Sequence, residues 1–360
     1  MSDFHIARRT FLGTVPVGAA AAPQVVVPTV NESKLKKPQG PIRIVSLTPF
    51  TPEEVQKITG AAPNVTMVMV KSPQEFQTAV READVVYGGI RTKELDFAPK
   101  LRWVQWGGAG VEGMEEGVRK HPVVVTNMAR IFAPGISETA FGLLLCLTRG
   151  ITTYYMPQFY KHQMKPVGTV KSPDHIELAG RTMGIVGMGG IGSNIARRAH
   201  YGFDMKVIAT DAKPIPKPEY VAELHDPTWF NEMVPQVDVL VSAAPHTPAT
   251  DKMFNESVFR RMKKTAYFLG MSRGNLFDDM ALVKALKEKW IAGAGLDVFP
   301  QEPPPENHPI FDLPNVVMTA HTSGWGVERQ DRLVALFAEN VRRYAIGQPL
   351  LNVVDKAAGY

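Results

Sequence analysis

Three glycines at G-x-G-x-x-G spacing, Gly187, Gly189 and Gly192, together with an acid further along, have the types and spacing for one piece of chemistry. They follow Thr182-Met183-Gly184-Ile185-Val186, which reads as a buried strand, and open a helix that reads from Ile191 to Tyr201. In a dinucleotide site Gly187 allows the tight turn, Gly189 lets backbone approach a pyrophosphate, and Gly192 lets helix pack close on strand. The pyrophosphate would lie at the helix N-terminus, beside Gly190 and Ile191, where free N–H groups and the helix dipole favour an anion. A glycine-rich turn alone would be ordinary turn chemistry. The deciding feature is a second strand, Met205 to Ala209, ending in Thr210-Asp211, with Asp211 19 positions beyond Gly192. An acid there accepts hydrogen bonds from the adenosine ribose hydroxyls and repels a 2′-phosphate, so NAD is favoured over NADP. Lys213, two places on, softens that preference.

The elements around this turn alternate strand and helix. Ile42 to Leu47 and Val65 to Val70 read as buried strands with a helix, Pro52 to Ile58, between them. Pro73 to Ala83 reads as a helix with Phe76, Val80 and Ala83 on one side, and Val85 to Tyr87, Trp103 to Trp106 and Val123 to Val125 as further strands. Ser137-Glu138 opens an apolar helix, Thr139 to Thr148, extending through Tyr154 and Tyr155, which suits packing between domains or across a dimer. A last helix, Gly326 to Ile346, carries the apolar stripe Val334, Leu336, Phe337 and Val341 and is expected to return to the first unit. The expected fold is α/β, with two Rossmann-like or flavodoxin-like parallel-sheet domains and an active-site cleft between them. Residues 41–146 plus 322–360 form a discontinuous substrate domain in this reading, and residues 147–321 the NAD-binding Rossmann domain.

Composition narrows the function classes. The chain of 360 residues is long enough for two cores, and its charged fraction of 21% is that of an ordinary globular protein. The net charge of +5 is scattered, apart from Arg260-Arg261-Met262-Lys263-Lys264 and Lys34-Leu35-Lys36-Lys37. Neither cluster is interleaved with aromatics, so no nucleic-acid partner is expected. The one cysteine, Cys146, lies in an apolar run and reads as a small core residue, which excludes an internal disulfide and a cysteine metal site; no metal is expected. No stretch is long and apolar enough to span a membrane. Residues 1–40 read as a signal and linker, because Ala7-Arg8-Arg9-Thr10-Phe11-Leu12-Gly13 resembles a twin-arginine export signal ahead of a small-residue run, Ala19 to Ala22. A periplasmic or otherwise exported location follows, the alternative being a cytoplasmic protein with a disordered tail.

Five further stretches resemble the D-isomer-specific 2-hydroxyacid dehydrogenases, in particular those of the glyoxylate/hydroxypyruvate reductase type. They are Leu178-Ala179-Gly180-Arg181-Thr182 before the glycines, Ala243 to Thr250, Gly270-Met271-Ser272-Arg273-Gly274, Ala292 to Pro303, and Leu313 to Thr322. The resemblance runs from about Ile42 to the C-terminus and implies an NAD-dependent oxidoreductase interconverting a 2-keto acid and a D-2-hydroxy acid. It implies a homodimer as well. In such an enzyme Arg273 would anchor carboxylate and carbonyl oxygens through its planar fork. His321 would exchange the proton at the C2 oxygen near neutral pH, with Glu302 orienting the ring and stabilising its charged form. Asp297 would hold the nicotinamide carboxamide; its bland reading is a helix or turn cap.

The loop with Ala244, Pro245 and Thr250 would cover the adenine side, with Met271 also at the cofactor. Backbone N–H groups of Ala109 and Gly110, in Gln105-Trp106-Gly107-Gly108-Ala109-Gly110-Val111, would bind the substrate carboxylate. Three positions depart from the family pattern: Glu112 for a common Asp, Ala320 for a proline, and Gly190 for a frequent basic residue. Trp325 either walls the substrate pocket or packs on the returning helix. The alternative function is a dinucleotide-sensing, corepressor-like module on the same scaffold. Glyoxylate, hydroxypyruvate, pyruvate and larger keto acids all carry the unit these residues read.

Overall fold

The computed structural model describes residues 35–163 and 175–360, so the twin-arginine-like stretch and most of the linker lie outside the described residues. Two sheets organise the chain. The first contains β1 (Ile42–Ser46), β2 (Val65–Met69), β3 (Val85–Tyr87), β4 (Trp103–Gln105) and β5 (Val124–Thr126), in the order β2-β1-β3-β4-β5. The second contains β6 (Thr182–Val186), β7 (Lys206–Thr210), β8 (Glu223–His225), β9 (Val239–Ser242), β10 (Tyr267–Gly270), β11 (Gly293–Leu296) and β12 (Val316–Met318). Its order is β12-β11-β10-β9-β6-β7-β8, and the pairings in both sheets are parallel. Helical crossovers cover such sheets on both faces, which is why β3, β4, β6, β9 and β10 are short apolar runs without polar alternation.

The expected α/β architecture is the one present, and the departures are local. The edge strand β8 was not expected: Glu-Leu-His carries no apolar pattern and pairs only with β7. The long apolar helix begins six residues earlier than read, at Ala133, with Pro134 in its first turn. It stops at Thr148 instead of running to Tyr155, because Gly150 turns left-handed at φ +63° and one π-helical turn, Ile151–Tyr155, follows. Pro73–Ala79 is α-helical, and the rest of that segment tightens to a 3₁₀ turn, Val80–Glu82.

The helix Ala133–Thr148 crosses between the sheets. Its Ala140, Phe141, Leu143, Leu144 and Leu147 are buried with Met183, Ile185, Val239 and Leu269 on the seven-stranded sheet. The run of small residues in β11 permits that approach: a Cβ on Gly295 would stand 2.9 Å from the Cβ of Leu143. Cys146, read as a core residue, is only half-buried, and burial pushes its thiol pKa up, away from the reactive thiolate.

The last helix, Glu328–Ile346, packs on the five-stranded sheet, where Val334, Phe337, Val341 and Tyr344 are buried with Ile42, Ile44, Val85, Tyr87 and Trp103. A buried polar chain tightens this contact. Trp103 Nε1 donates to Thr126 Oγ1 (2.7 Å), whose hydroxyl donates to Gln105 Oε1 (2.9 Å). Asn340 Nδ2 donates to the same Gln105 oxygen (3.2 Å), while its Oδ1 accepts from Leu351 N–H (2.7 Å). Satisfied networks of this kind favour one packing, since slippage would strand polar groups out of water. No helix of the described residues is long and apolar enough to cross a membrane.

Candidate active site

In the second sheet β6 has β7 on one side and β9 on the other, so the crossovers diverge from β6 and leave a crevice at the carboxyl ends of β6 and β9. The glycine turn occupies it. Gly187 stands at φ +93°, and a Cβ there would lie 2.7 Å from backbone atoms of Ala244 in the loop after β9. A Cβ on Gly192 would overlap the Gly187 carbonyl oxygen, whereas one on Gly189 would meet no protein atom within 4 Å. Two glycines are thus required by the protein's own packing, and the third leaves a face open. The helix Gly190–Phe203 begins at that face, with Ile191 half-buried in its first turn.

Asp211, directly after β7, is fastened to the same turn. Its Oδ2 accepts from Met188 N–H (2.7 Å) and its Oδ1 from Lys213 N–H (2.8 Å). Lys213 sends its ammonium over the ring of Tyr360, 4.1 Å from the centroid. In the loop after β9, Thr250 Oγ1 donates to the carbonyl of Pro245 (2.8 Å), which closes the turn beside Ala244. Met271 is buried behind it, its N–H donated to Ser242 (3.1 Å). These residues fit a dinucleotide: a close-packed glycine turn, an open face at a helix N-terminus, and a carboxylate on the adjoining strand end.

The polar residues singled out in the sequence follow three neighbouring strands. Arg273 comes three residues after β10, Asp297 directly after β11, Glu302 in the same loop, and His321 three residues after β12. His321 Nδ1 and Glu302 Oε2 lie 2.7 Å apart, which leaves Nε2 as the ring nitrogen without a partner among the described residues. Glu302 is itself fixed, since its other oxygen accepts from Phe299 N–H (3.0 Å). The arginine turn seats against the same backbone: a Cβ on Gly274 would overlap Phe299. His321 holds φ +55°, a left-handed conformation uncommon outside glycine and here under constraint from its neighbours.

Asp297 supplies that constraint. It is 1% exposed; its carbonyl accepts from His321 N–H (2.7 Å), and its Oδ1 from Thr319 Oγ1 (2.6 Å), Thr322 N–H (3.1 Å) and Ser323 N–H (3.2 Å). Ser323 Oγ donates to Oδ2. This is the turn-cap reading of Asp297, extended to the loop that carries His321. The signal was present in Thr319, Thr322 and Ser323, whose short hydroxyls and free amides surround a histidine without a preceding proline.

The five-stranded unit contributes the opposite wall. Its loop after β4 is anchored through carbonyls, with Asn127 Nδ2 donating to Ala109 O (2.7 Å) and Met128 N–H to Gly108 O (2.8 Å). The N–H groups of Ala109 and Gly110 have no hydrogen-bond acceptor among the described residues. Arg273 reaches this loop: a Cβ on Gly110 would overlap its guanidinium, and Nε donates to Glu112 Oε1 (2.8 Å). Burial pushes the Glu112 carboxyl up, but the Arg273 charge and hydrogen bonds outweigh it and hold the group below its ordinary value. The arrangement offers a guanidinium, two backbone N–H groups without an acceptor among the described residues, and an oriented imidazole. Trp325 is 69% exposed, with Arg329 of the last helix 5.7 Å from its ring centroid, so it is not packed under that helix.

Residues 141–323 match the family model described as the D-isomer specific 2-hydroxyacid dehydrogenase NAD binding domain. A glyoxylate reductase of Korarchaeum cryptofilum is 34% identical over 275 residues, covering 74% of this chain and 80% of its own. A glyoxylate reductase of Pyrococcus furiosus is 35% identical over 274 residues, with the same coverage. Among solved structures, a D-isomer specific 2-hydroxyacid dehydrogenase family protein of Aeromonas salmonicida aligns with TM-score 0.71 and 28% identity, over 89% of this chain and all of that one. An NADPH-dependent glyoxylate/hydroxypyruvate reductase of Sinorhizobium meliloti, in complex with NADP and sulfate, aligns with TM-score 0.72 and 26% identity over the same shares. The glycine turn, the strand-end polar residues and these likenesses agree, and the chain belongs to the D-isomer-specific 2-hydroxyacid dehydrogenase family, oxidoreductases acting on CH–OH groups.

Proposed function

We propose that this oxidoreductase interconverts a small 2-keto acid and a D-2-hydroxy acid using NAD(H), with His321 as acid and base. The observation that carries the reading is the fixed His321–Glu302 pair, 2.7 Å apart, on a loop pinned by Asp297, with Gly274, next to Arg273, packed on Phe299 of the Glu302 segment. Gly187, Gly189, Gly192 and Asp211 are the residues to hold the dinucleotide, with Gly190, Ile191, Ala244, Pro245, Thr250 and Met271 alongside. A nicotinamide held there would supply the hydride exchanged with substrate C2. Arg273 and the N–H groups of Ala109 and Gly110 bind the substrate carboxylate, which places the C2 oxygen for His321. Protonated His321 gives its Nε2 proton to that oxygen in reduction, and the neutral ring takes it in oxidation. Glu302 keeps the ring in the tautomer that leaves Nε2 toward substrate and offsets the charge of the imidazolium.

Asp211 supports NAD over NADP even though the S. meliloti relative was solved with NADP. A carboxylate at the end of the strand after the glycine helix would repel a 2′-phosphate. The exposed apolar side chains Ile151, Phe159 and Tyr160 after the crossing helix support a homodimer, which light scattering on the purified protein tests. Residues 41–146 plus 322–360 as substrate domain and 147–321 as dinucleotide domain remain our division of the chain. Export rests on Arg8-Arg9, and cell fractionation of a double Arg-to-Lys variant tests it. The central experiment is NADH and NADPH oxidation against a panel of 2-keto acids. Turnover that collapses in His321→Ala supports the reading; binding without turnover on any acid overturns it.

A further inference from the structure

Gly190, the first residue of the helix that follows the glycine turn, has no side chain, and the space beside it is filled from elsewhere. A Cβ on Gly190 would lie 2.8 Å from Cγ, 3.0 Å from Cα and 3.3 Å from Cβ of Arg130. Arg130 is 60 positions upstream in the segment joining β5 to the crossing helix. Its side chain runs where a side chain on residue 190 would begin. From this geometry, and resting on the dinucleotide reading above, we infer that Arg130 binds the dinucleotide pyrophosphate, supplying from the substrate unit the cation that the glycine turn lacks.

Three independent observations support this. The first is conformational: Arg130 stands at φ +79°, a region that a long L side chain occupies only when held there. The holding contacts are visible on both sides. Ala129 N–H donates to Asn127 Oδ1 (3.0 Å), Asn352 Nδ2 donates to Ala129 O (2.9 Å), and Ala133 N–H donates to Arg130 O (3.1 Å). Asn127 also grips Ala109 of the substrate loop, so one short segment is clamped to that loop and pressed against the glycine turn.

The second is electrostatic. Among the described residues no hydrogen bond or ion pair engages the Arg130 guanidinium. The side chain is reachable by solvent, yet surrounding protein atoms crowd it and push its pKa down. Its Cα, Cβ and Cγ lie beside Gly190, the first residue of a 14-residue helix whose N-terminal end carries positive dipole charge. A guanidinium on that side chain, without a counter-charge among the described residues, is stabilised by an anion bound at the same helix end.

The third concerns which anion. The substrate carboxylate already has Arg273 and the Ala109 and Gly110 amides, whereas Arg130 packs on Gly190, at the open face beside Gly189. That face takes phosphate oxygens, and a planar fork suits two of them at once.

The test measures calorimetric binding of NADH, ADP and adenosine to full-length wild type, Arg130→Gln and Arg130→Gly, with thermal unfolding as a check on folding. The glycine variant relieves the positive φ, so it separates lost charge from lost fold. Both variants are expected to bind NADH and ADP about tenfold or more weakly and adenosine as the wild type does. NADH and ADP affinities within about twofold of wild type in the glycine variant overturn the assignment. So does an unchanged NADH affinity with a raised KM for the keto acid, which would place Arg130 on the substrate. A wild-type protein that binds neither NADH nor NADPH overturns the dinucleotide reading itself, and the assignment falls with it.

Discussion

The three motif glycines divide into two that the fold requires and one left open, and Gly→Ala substitutions separate these roles. At Gly187 an alanine Cβ would stand 2.7 Å from Ala244 Cα and N and 2.9 Å from Ala243 C, all backbone, at φ +93°. Reaching ordinary contact requires the loop after β9 to retreat by roughly 0.7 Å, an overpacking that costs about 1–3 kcal/mol. The left-handed backbone adds about 1–2 kcal/mol for any L side chain, so Gly187→Ala should lose about 3 kcal/mol. Gly192→Ala should lose a similar amount, since its Cβ would overlap the Gly187 carbonyl and press Ile185 Cγ2 at 3.1 Å. Gly189→Ala meets no protein atom within 4 Å and should leave stability within about 0.5 kcal/mol. Its methyl would stand on the face where the pyrophosphate must come close, so NADH affinity should fall about tenfold or more. Urea unfolding followed by tryptophan fluorescence reads the first quantity, and NADH fluorescence titration the second. Unchanged NADH affinity in Gly189→Ala, or wild-type stability in Gly187→Ala and Gly192→Ala, would refute the division.

His321→Ala should lower kcat by about 10²–10⁴-fold while NADH still binds, and Glu302→Gln should lower it less, because an amide can still orient the ring; steady-state kinetics with NADH titration decides. Asp211→Ala should raise the NADPH:NADH ratio of kcat/KM about tenfold or more, read from parallel assays with the two dinucleotides. Glu112 is held below its ordinary value of 4.5, so its ionised pairing with Arg273 stabilises the fold above that pH and is lost as pH falls through the lowered value. The melting temperature of Glu112→Gln should therefore fall less steeply than that of wild type between about pH 5 and 3, and parallel curves would count against the pairing.

What was legible in the sequence was set by neighbours close along the chain. The glycine spacing, Asp211 and the positions of Arg273, Asp297, Glu302 and His321 each follow a short apolar strand, and an apolar run ending in a polar turn is a local pattern. The relations that complete the site are not local. Glu112 meets Arg273 across 161 positions, and Arg130 meets Gly190 across 60; no periodicity marks either. Asp297 was read by position, yet its hold on the histidine loop depends on four hydroxyl and amide donors more than twenty residues away. Strand β8 was illegible for another reason, because an edge pairing asks little of Glu223 and His225. The crossing helix was read too long at its end, since Gly150 is a stop only through the left-handed turn it takes.

The position of the last helix sets an order for the birth of the molecule. The seven-stranded sheet, from β6 to β12, is complete once residue 318 has been made, and its covering helix Ala133–Thr148 precedes it in the chain. The five-stranded sheet is drawn from residues 42–126, yet Phe337, Val341, Tyr344 and the buried amide of Asn340 must arrive before its face is sealed. The unit synthesised first is therefore finished last, with Ile42, Ile44 and Trp103 uncovered while more than two hundred residues emerge. Pairings so distant along the chain are slow to form and leave apolar surface open meanwhile. Loss of the final helix should spare the dinucleotide unit and turn the other into a client of chaperones.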